Sequence, residues 1–326
     1  MISKIKKEDI YYYLMLAMGC ALFSGYRFTN IMLDWIGFEK ILNFDYHRPF
    51  VGRVLIPSIA KLINSFGLSP ELTFNLLEVI GCILAVVFFK KYLNLFIQNE
   101  RTSRLLSYSL LLVLPYQLLL PRLINTWYCY DIYSVFFVSA LLYYLVQEKF
   151  LWFYLLYILA VFNRETPAFI SILMAITFFN KMPLKKLALH GLLQVSIFFA
   201  VRGIIEHLIL KGTPGGVYED NLAHNIGFFK QTFNGIFNGR LNKSLFDLLY
   251  LLTTFWVLPY FVIPFRKHIK NEFLSKSMLV FIPYGVIVFF IGMMPEIRFY
   301  SEMTPIFLAP ALVIIVDLIR ESKKEV

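Results

Sequence analysis

Long runs of hydrophobic residues, separated by short polar segments, recur along almost the whole chain. Runs that approach about 20 residues predict helices that cross a bilayer, because an apolar helix of that length spans the hydrocarbon core. The runs lie at residues 10–26, 72–89, 105–120, 132–146, 150–162, 167–179, 187–210, 246–264, 278–294 and 305–319. The pattern predicts an all-α fold, a polytopic transmembrane helix bundle of about ten helices.

The fifth and sixth of these runs are too short to cross a bilayer comfortably on their own. They flank the polar tetrapeptide Asn163-Arg164-Glu165-Thr166. We expect a hairpin of two half-length helices that holds these polar residues at some depth below the membrane surface. Residues 51–63, whose apolar side chains are interleaved with basic ones, are predicted to lie in the membrane interface as an amphipathic helix.

Composition agrees with a membrane protein and excludes two other classes. Hydrophobic residues make up 59% of the 326 residues and charged residues only 16%, against about 45–50% and about 25% in soluble domains. The same values exclude a disordered chain. No linker is long enough to divide the chain, so residues 1–326 are predicted to form a single integral membrane domain.

The net charge of +10 indicates an orientation. Basic clusters lie between the apolar runs without any nucleic-acid-binding motif, so we expect no nucleic acid partner. The positive-inside rule places both termini and the lysine-rich connections in the cytoplasm, provided that the short hairpin goes out and back. The opposite side is then close to neutral and rich in Arg, whose planar guanidinium binds phosphate and carboxylate.

Candidate chemical groups gather on that predicted outer side. In the first outer loop, Asp45 lies close to Arg48 and Arg53, and a carboxylate in that setting can serve as a general base. The tetrapeptide contributes a second set of groups, because ionisable residues inside a membrane are costly and are usually kept for a function. The structural alternative is that Arg164 and Glu165 only fix the tip of a hairpin.

Two further outer segments carry charged residues. Residues 295–302 contain Arg298 and Glu302, which are four apart and would face each other in a helix. A tight connection contains Arg122 and Asp131. Phosphate-binding, zinc-protease, serine-hydrolase and dinucleotide motifs are absent from the sequence, so energy must come from an activated substrate or a gradient. No sequence motif identifies a cofactor, and the sequence neither requires nor excludes a divalent metal ion.

The layout resembles that of small bacterial polytopic glycosyltransferases of the GT-C fold class. The resemblance rests on the number of spans, a cytoplasmic N-terminus, and a long first outer loop with an amphipathic segment and an acid, Asp45 within Asn43-Phe44-Asp45-Tyr46-His47-Arg48-Pro49. The chain is also similar to bacterial membrane proteins of polysaccharide loci, which carry an Arg-rich segment like residues 48–57 and an Asn-Arg-Glu-Thr turn.

The resemblance implies a polyprenyl-phosphate-linked sugar donor, a glycan, lipid or protein acceptor, and an outer-loop Asp as catalytic base. It further implies a bacterial inner membrane protein with an extracytoplasmic active site. The predicted catalytic residues are Asp45, Glu165 and Glu302. The predicted substrate-binding residues are Arg48, Arg53, Arg122, Asn163, Arg164, Glu296, Arg298 and Tyr300. Among these, Arg164 and Arg298 are expected to bind the departing phosphate, because Arg offers paired hydrogen bonds to its oxygens.

Two other functions stay open. A polysaccharide polymerase or ligase of the O-antigen type also uses outer arginines and lipid-linked substrates, although it usually has a larger outer loop. A transporter or flippase of a lipid-linked or anionic solute is favoured by the broken hairpin around Arg164. Transfer of a labelled sugar, as opposed to movement of the unmodified lipid, distinguishes the enzyme from the transporter.

Overall fold

The structure of this chain is a computed structural model that describes residues 7–29, 37–46, 48–119, 127–211, 219–238, 241–253 and 258–323. Within these ranges all regular secondary structure is helical, and no strand occurs. The all-α fold predicted from the hydrophobic runs is therefore confirmed.

The described ranges contain α-helices of very different lengths. They are α1 (Lys7–Thr29), α2 (Phe38–Leu42), α3 (Leu55–Asn64), α4 (Pro70–Ile97), α5 (Glu100–Ser107), α6 (Ser109–Leu118), α7 (Asp131–Val146), α8 (Phe150–Asn163), α9 (Ala168–Phe178), α10 (Leu184–Ile204), α11 (Leu222–Phe237), α12 (Leu241–Leu252), α13 (Leu258–Val262), α14 (Glu272–Ser277), α15 (Phe281–Ile291) and α16 (Thr304–Ser322). Short turns of other helical types lie at Phe50–Gly52, Ile205–Ile209, Arg266–His268, Met278–Val280 and Ile297–Met303.

Four described helical segments are long and apolar enough to cross a membrane. They are Pro70–Ile97, Leu184–Ile209, Glu272–Ile291 and Ile297–Ser322. Each overlaps one of the predicted spans, which indicates a polytopic membrane protein. The helices α3, α7, α8 and α9 are apolar but have only 10–17 residues.

The longest helix, α4, is delimited by capping residues. Ser69 Oγ accepts a hydrogen bond from the Leu72 backbone N–H at 3.3 Å, and Pro70 occupies the first helical turn, where a missing N–H costs nothing. The helix continues beyond residue 89, where the hydrophobic run ends, because Tyr92 and Leu93 are buried in the bundle; Lys90 pairs with Glu100 at 3.0 Å. The apolar pattern therefore finds the helix but places its end too early.

Helices α4 and α7 pack closely at the centre of the bundle. A Cβ atom on Gly81 would lie 2.9 Å from side-chain carbons of both Ile132 and Tyr133, so glycine permits this approach. The Tyr133 hydroxyl then donates a hydrogen bond to the Leu77 carbonyl at 2.8 Å. This contact brings the start of α7, with Asp131, against the first half of α4.

The two predicted half-length helices are confirmed as α8 and α9. The hydroxyls of Tyr157 and Ser171 lie 3.2 Å apart, so the two helices meet near their connection. Within that connection Asn163 and Arg164 are both 1% exposed. The polar tetrapeptide is thus partly enclosed by protein.

Helix α3 agrees with the amphipathic segment predicted at residues 51–63. Ile56 and Ala60 are buried, whereas Leu62 and Phe66 beyond them are exposed. A helix with one buried and one exposed apolar surface fits a membrane interface, and its position in the interface stays a prediction.

Three other predicted elements differ from the structure. The run at 105–120 belongs to two helices, α5 and α6, that meet at Tyr108. The run at 246–264 is divided between α12 and α13, with residues 254–257 outside the described ranges. Helix α1 covers the run at 10–26 but is not among the four candidate spans; charged residues lie in its first and last turns.

Helix α11 has no counterpart among the predicted spans. Its sequence mixes apolar residues with His224, Asn225, Lys230 and Gln231, so no long hydrophobic run marks it. Asn225 is fully buried and ties α11 to the end of α15. A helix that polar contacts of this kind hold in place is not predicted by the hydrophobicity pattern of the sequence.

Candidate functional site

The centre of the candidate site is Asp131, the first residue of α7. Its carboxylate is fully buried and accepts hydrogen bonds from three arginines. Arg27 Nη2 lies 3.2 Å from Oδ2, while Arg298 Nη1 and Arg164 Nη1 lie 3.3 and 3.5 Å from Oδ1. Three elements far apart in the chain therefore converge on one acid.

Two more carboxylates balance these charges. Glu78 on α4 pairs with Arg27, and Glu296 pairs with Arg298 Nε. We call the six residues Arg27, Glu78, Asp131, Arg164, Glu296 and Arg298 the arginine cluster. All six are at most 5% exposed, and buried ion pairs of this kind are costly to assemble in a low-dielectric interior.

Arg164 makes fewer ion pairs than the other two arginines of the cluster. Its one carboxylate contact among the described residues is the 3.5 Å contact with Asp131, which two other arginines share. Its Nε is buried and has no hydrogen-bond partner in the described part of the chain. A buried guanidinium donor without an acceptor is costly and is ready to receive an anionic oxygen.

Aromatic rings cover the guanidinium groups. The Arg298 guanidinium lies 4.2 Å from the centre of the Tyr128 ring, and Arg164 lies 5.1 Å from the Phe299 ring. Arg53 lies 4.5 Å from the Tyr130 ring. Contacts of this kind stabilise cations that have lost their water, by about 0.5–2 kcal/mol each.

A second network lies beside the arginine cluster. Glu165 Oε2 accepts from Arg53 Nε at 3.3 Å, and Glu165 Oε1 lies 3.1 Å from Arg202 Nη1. Arg53 Nη1 also donates to the Tyr130 hydroxyl at 2.5 Å. Burial favours a higher pKa for the Glu165 carboxyl, but Arg53 and Arg202 outweigh it, so the pKa is lowered and Glu165 carries a negative charge at neutral pH.

Glu302 occupies a third position, separate from Arg298. Residues 297–303 form a 3₁₀ turn, in which positions four apart do not face each other, so the pair of Arg298 and Glu302 expected for an α-helix does not form. The fully buried Glu302 instead accepts hydrogen bonds from Thr166 and from the Tyr284 hydroxyl, the latter at 2.8 Å. Glu302 thus joins the polar tetrapeptide to α15.

A cavity of about 240 Å³ opens between these networks. Arg53, Arg164, Glu165 and Thr166 line one part of it, and Glu219 also contributes. The remainder of the wall is apolar or aromatic; it consists of Pro49, Phe50, Ala168, Phe169, Tyr284, Ile287, Val288, Ile291, Gly292 and Phe299. We call this space the arginine cavity. It combines cations with an apolar wall, which suits an anionic group attached to a hydrocarbon chain.

Other predicted site residues lie in different surroundings. Asp45 is exposed after α2 and forms no ion pair with any described residue. Arg48 pairs with Glu206 at 2.7 Å and donates to the Leu210 carbonyl at 2.8 Å. Arg122 lies outside the described residues.

The remaining two predictions are packing positions. Asn163 donates hydrogen bonds to the Tyr130 carbonyl and to Ser134 Oγ, both at 3.1 Å. Tyr300 is buried, with its hydroxyl 3.2 Å from Met294 Sδ. Both residues hold the segments that carry Arg164 and Arg298 in place.

Arg27, Glu78 and Asp131 were not among the predicted site residues, although they form half of the arginine cluster. Each carries a signal that is visible in the sequence. Glu78 is an isolated acid inside the apolar run at 72–89, Arg27 directly follows the run at 10–26, and Asp131 directly precedes the run at 132–146. Isolated charged residues in or next to apolar runs are expected to form ion pairs. The sequence therefore predicts that these residues are paired but does not identify their partners.

The donor set does not indicate a particular metal. Among the described residues, no three His, Cys, Asp or Glu side chains are arranged to hold an ion. The carboxylates of the arginine cluster are already engaged by guanidinium groups. The cations available to a ligand in this part of the protein are therefore arginines.

The chemistry of the site has to be inferred from its own residues, because no relative assigns it. Comparisons with known protein families, with curated proteins and with solved structures find no match for this chain.

Proposed function

We propose that this chain is a membrane glycosyltransferase that transfers a sugar from a polyprenyl-phosphate-linked donor to a glycan, lipid or protein acceptor. The observation that carries the proposal is the arginine cavity, whose lining combines an apolar wall with Arg164, a residue whose buried Nε has no hydrogen-bond partner in the described part of the chain. A phosphate joined to an isoprenoid chain combines the same two properties in one molecule.

Phosphate binding is assigned to Arg164, with Arg53 on the same wall. Glu165 already engages Arg53 and Arg202, so it orients these guanidinium groups while limiting the surplus of positive charge. As the bond between sugar and phosphate breaks, negative charge grows on the departing phosphate. Fixed guanidinium donors in a site with little water stabilise that charge strongly.

The lipid chain is assigned to the apolar side of the cavity. Ile287 and Ile291 of α15 line the cavity and are 39% and 43% exposed. Ile282 and Val286 on the same helix are also exposed, as residues that face lipid are. A tail can therefore pass from the bilayer along α15 to the cavity without crossing water.

The proposal includes an arrangement in the membrane. We place both termini in the cytoplasm and the arginine cavity at the extracytoplasmic face of a bacterial inner membrane, within a GT-C-like bundle of about ten helices. Asp45 stays the predicted base of the sequence resemblance. Direct attack of the acceptor hydroxyl on the sugar, without a covalent enzyme intermediate, would invert the anomeric centre.

A larger groove offers a second place for a lipid chain. It has a volume of about 1230 Å³, lies between α1 and the helices α5 and α6, and is lined by Arg101 and Arg104 among apolar residues. Arg104 is already paired with Asp9 at 2.5 Å and Glu100 at 3.1 Å. The arginine cavity is therefore the better phosphate site, and Arg101 supplies a matched control.

The binding test compares polyprenyl phosphate with the uncharged polyprenol of the same chain length. We expect Arg164→Gln to reduce the preference for the phosphate by about 10- to 100-fold, because a charged hydrogen bond contributes about 1.5–3 kcal/mol. The ratio of the two affinities in one preparation is insensitive to partial misfolding. Arg164→Lys keeps the positive charge but not the planar guanidinium, so it should lose less of the preference for phosphate than Arg164→Gln does.

Arg101→Gln is the control for that measurement, because it removes an exposed arginine in the larger groove. Its preference for phosphate should equal that of the wild type. A loss in Arg101→Gln with none in Arg164→Gln would move the phosphate site to the larger groove and overturn the assignment.

The activity test uses vesicles that contain the purified protein and a panel of radiolabelled polyprenyl-phosphate hexoses. Transfer of label to an alkyl glycoside supports the enzyme. Movement of unmodified lipid between leaflets without transfer would support the transporter alternative. That alternative is kept because the buried connection between α8 and α9 resembles the discontinuous helices of transporters.

A further inference from the structure

A second cavity is lined in part by the same stretch of chain that lines the arginine cavity. It has a volume of about 510 Å³ and is lined by α11 and residues 293–296. Gly292 and Phe299 line the arginine cavity, whereas Met293 and Glu296 line the second one. Residues 292–299 therefore contribute to the walls of both cavities.

That stretch is held rigidly by α11. The Asn225 amide nitrogen donates to the carbonyls of Phe289 and Gly292 at 2.8 and 2.7 Å, and its oxygen accepts from the Met294 N–H at 2.9 Å. Asn221 adds a backbone hydrogen bond to the Phe290 carbonyl at 3.0 Å. The position of Glu296 relative to α11 is thus fixed by hydrogen bonds on both sides of the turn.

Glu296 connects the second cavity to the arginine cluster. It is 5% exposed, lines the cavity, and pairs with Arg298. Arg298 in turn contacts Asp131, whose Oδ1 also receives Arg164. A chain of charged contacts therefore runs from the second cavity to the proposed phosphate-binding arginine.

The other walls of the second cavity suit a hydroxyl-rich molecule. The Phe228 ring offers a flat apolar surface, of the kind that packs against sugar C–H groups. His224 and Gln231 are exposed and offer hydrogen-bond donors and acceptors. An exposed rim with one buried carboxylate differs from the apolar wall and two arginines of the other cavity.

We propose that the second cavity binds the sugar-like acceptor and that Glu296 is the catalytic base. This inference rests on the glycosyltransferase function proposed above. The Glu296 carboxylate accepts the proton of the acceptor hydroxyl as the acceptor oxygen forms a bond to the anomeric carbon. The bond from that carbon to the phosphate oxygen breaks, and the electron pair leaves with the polyprenyl phosphate.

Glu296 thereby competes with Asp45 for the role of base. Asp45 is exposed and lines neither cavity, whereas Glu296 lines one and is linked to the other. The two assignments predict opposite results for two matched amide variants. Glu296→Gln should lower the rate of transfer by at least 100-fold, since a general base contributes about 10²–10⁴-fold, and Asp45→Asn should lower it far less.

The experiment uses the full chain in vesicles, with radiolabelled polyprenyl-phosphate hexoses as donors and a fluorescent octyl glycoside as acceptor. Binding of polyprenyl phosphate is measured on the same samples, and Glu296→Gln should retain it within about threefold, well under the tenfold that 1.4 kcal/mol produces. Lost transfer with retained phosphate binding separates a base from a general loss of structure. Glu296→Asp should recover part of the rate.

A labelling experiment tests the cavity itself. The natural Cys20, Cys82 and Cys129 are buried, so a cysteine introduced at the exposed Ala223 is the reactive one. Modification of Ala223→Cys by a charged methanethiosulfonate should reduce transfer relative to the same unmodified variant and leave phosphate binding unchanged. Lys230→Cys, exposed on α11 but outside the cavity lining, is the matched control.

The possible failures are distinct. If the wild type transfers sugar while Glu296→Gln keeps full activity, Glu296 is not the base. If modified Ala223→Cys also keeps full activity, the second cavity is not the acceptor site, and the proposed function stands. If the wild type neither binds polyprenyl phosphate nor transfers any hexose of the panel, the proposed function fails and this inference with it.

Discussion

The two ends of helix α4 carry ion pairs of opposite character. Near its start, Glu78 belongs to the arginine cluster, in which every residue is buried and the cations are all Arg. Near its other end, Lys90 pairs with Glu100, whose side chain is 47% exposed. Lys181, Glu272 and Lys276 form a similarly exposed group at the end of α9.

This contrast separates the charged residues that orient the protein in the membrane from those that perform its function. Exposed pairs gain little, because water and salt screen them and long side chains lose entropy when ordered. Buried pairs cost much to assemble and more to break, because a lone charge remains. Charges that only anchor the protein are expected in the first group, and charges that perform a function are expected in the second.

The largest effect is expected for Asp131→Asn. The substitution keeps the shape but leaves three arginines without their shared negative charge, so the free energy of unfolding should fall by about 3–5 kcal/mol. Thermal unfolding in detergent measures the loss. A shift no larger than that of a surface variant would mean that the three arginines do not depend on Asp131.

An intermediate effect is expected from the pH dependence of Glu165. The pKa of the Glu165 carboxyl is lowered, since Arg53 and Arg202 outweigh the effect of burial. The contribution of Glu165 to the free energy of unfolding is therefore complete above the ordinary Glu pKa and is lost as pH falls through the lowered value. The Tm of Glu165→Gln should therefore lie below that of the wild type at pH 7. The gap should close in acid below pH 4.5.

Glu100 is the matched control for that titration. Its pKa is also lowered, because Lys90 and Arg104 outweigh the effect of burial. Its side chain is more exposed than that of Glu165, at 47% against 30%. The gap between Glu100→Gln and the wild type should be smaller at every pH, and a larger gap would contradict the ranking of less exposed pairs above more exposed ones.

The smallest effect is expected for Glu272→Gln in the exposed group. Glu272 lies 2.6 Å from Lys276 and 3.3 Å from Lys181, but all three side chains are at least 26% exposed. Any change in Tm at low salt should vanish near 1 M salt, where the Debye length is about 3 Å. The change in Asp131→Asn should persist there, since salt does not reach a buried pair.

Hydrophobic runs predicted the long apolar helices better than the helices that polar contacts hold in place. The runs at 72–89, 187–210, 278–294 and 305–319 correspond to the four long segments, because length and apolarity are local properties of the sequence. Helix α11 was missed, since Asn225 fixes it through hydrogen bonds to residues more than 60 positions away. The hydrophobicity of a segment does not predict hydrogen bonds to distant residues.

The candidate site was predicted in part for the same reason. Arg164 is predicted as a charge at membrane depth and Arg298 as an arginine of an outer segment, and the structure brings both to one carboxylate. That carboxylate is Asp131, which the sequence places only in a tight connection. Periodicity does not determine which helices are neighbours, so convergence on Asp131 could not be derived from it.

The exposed side of α15 affects how occupancy of the arginine cavity should be measured. Ile287 and Ile291 line the cavity and also remain accessible from outside the protein. A ligand that arrives along this helix is dissolved in lipid, so the relevant concentration is its mole fraction in the bilayer. Adding empty lipid at constant volume should lower occupancy, whereas diluting the same vesicles with buffer should leave it unchanged.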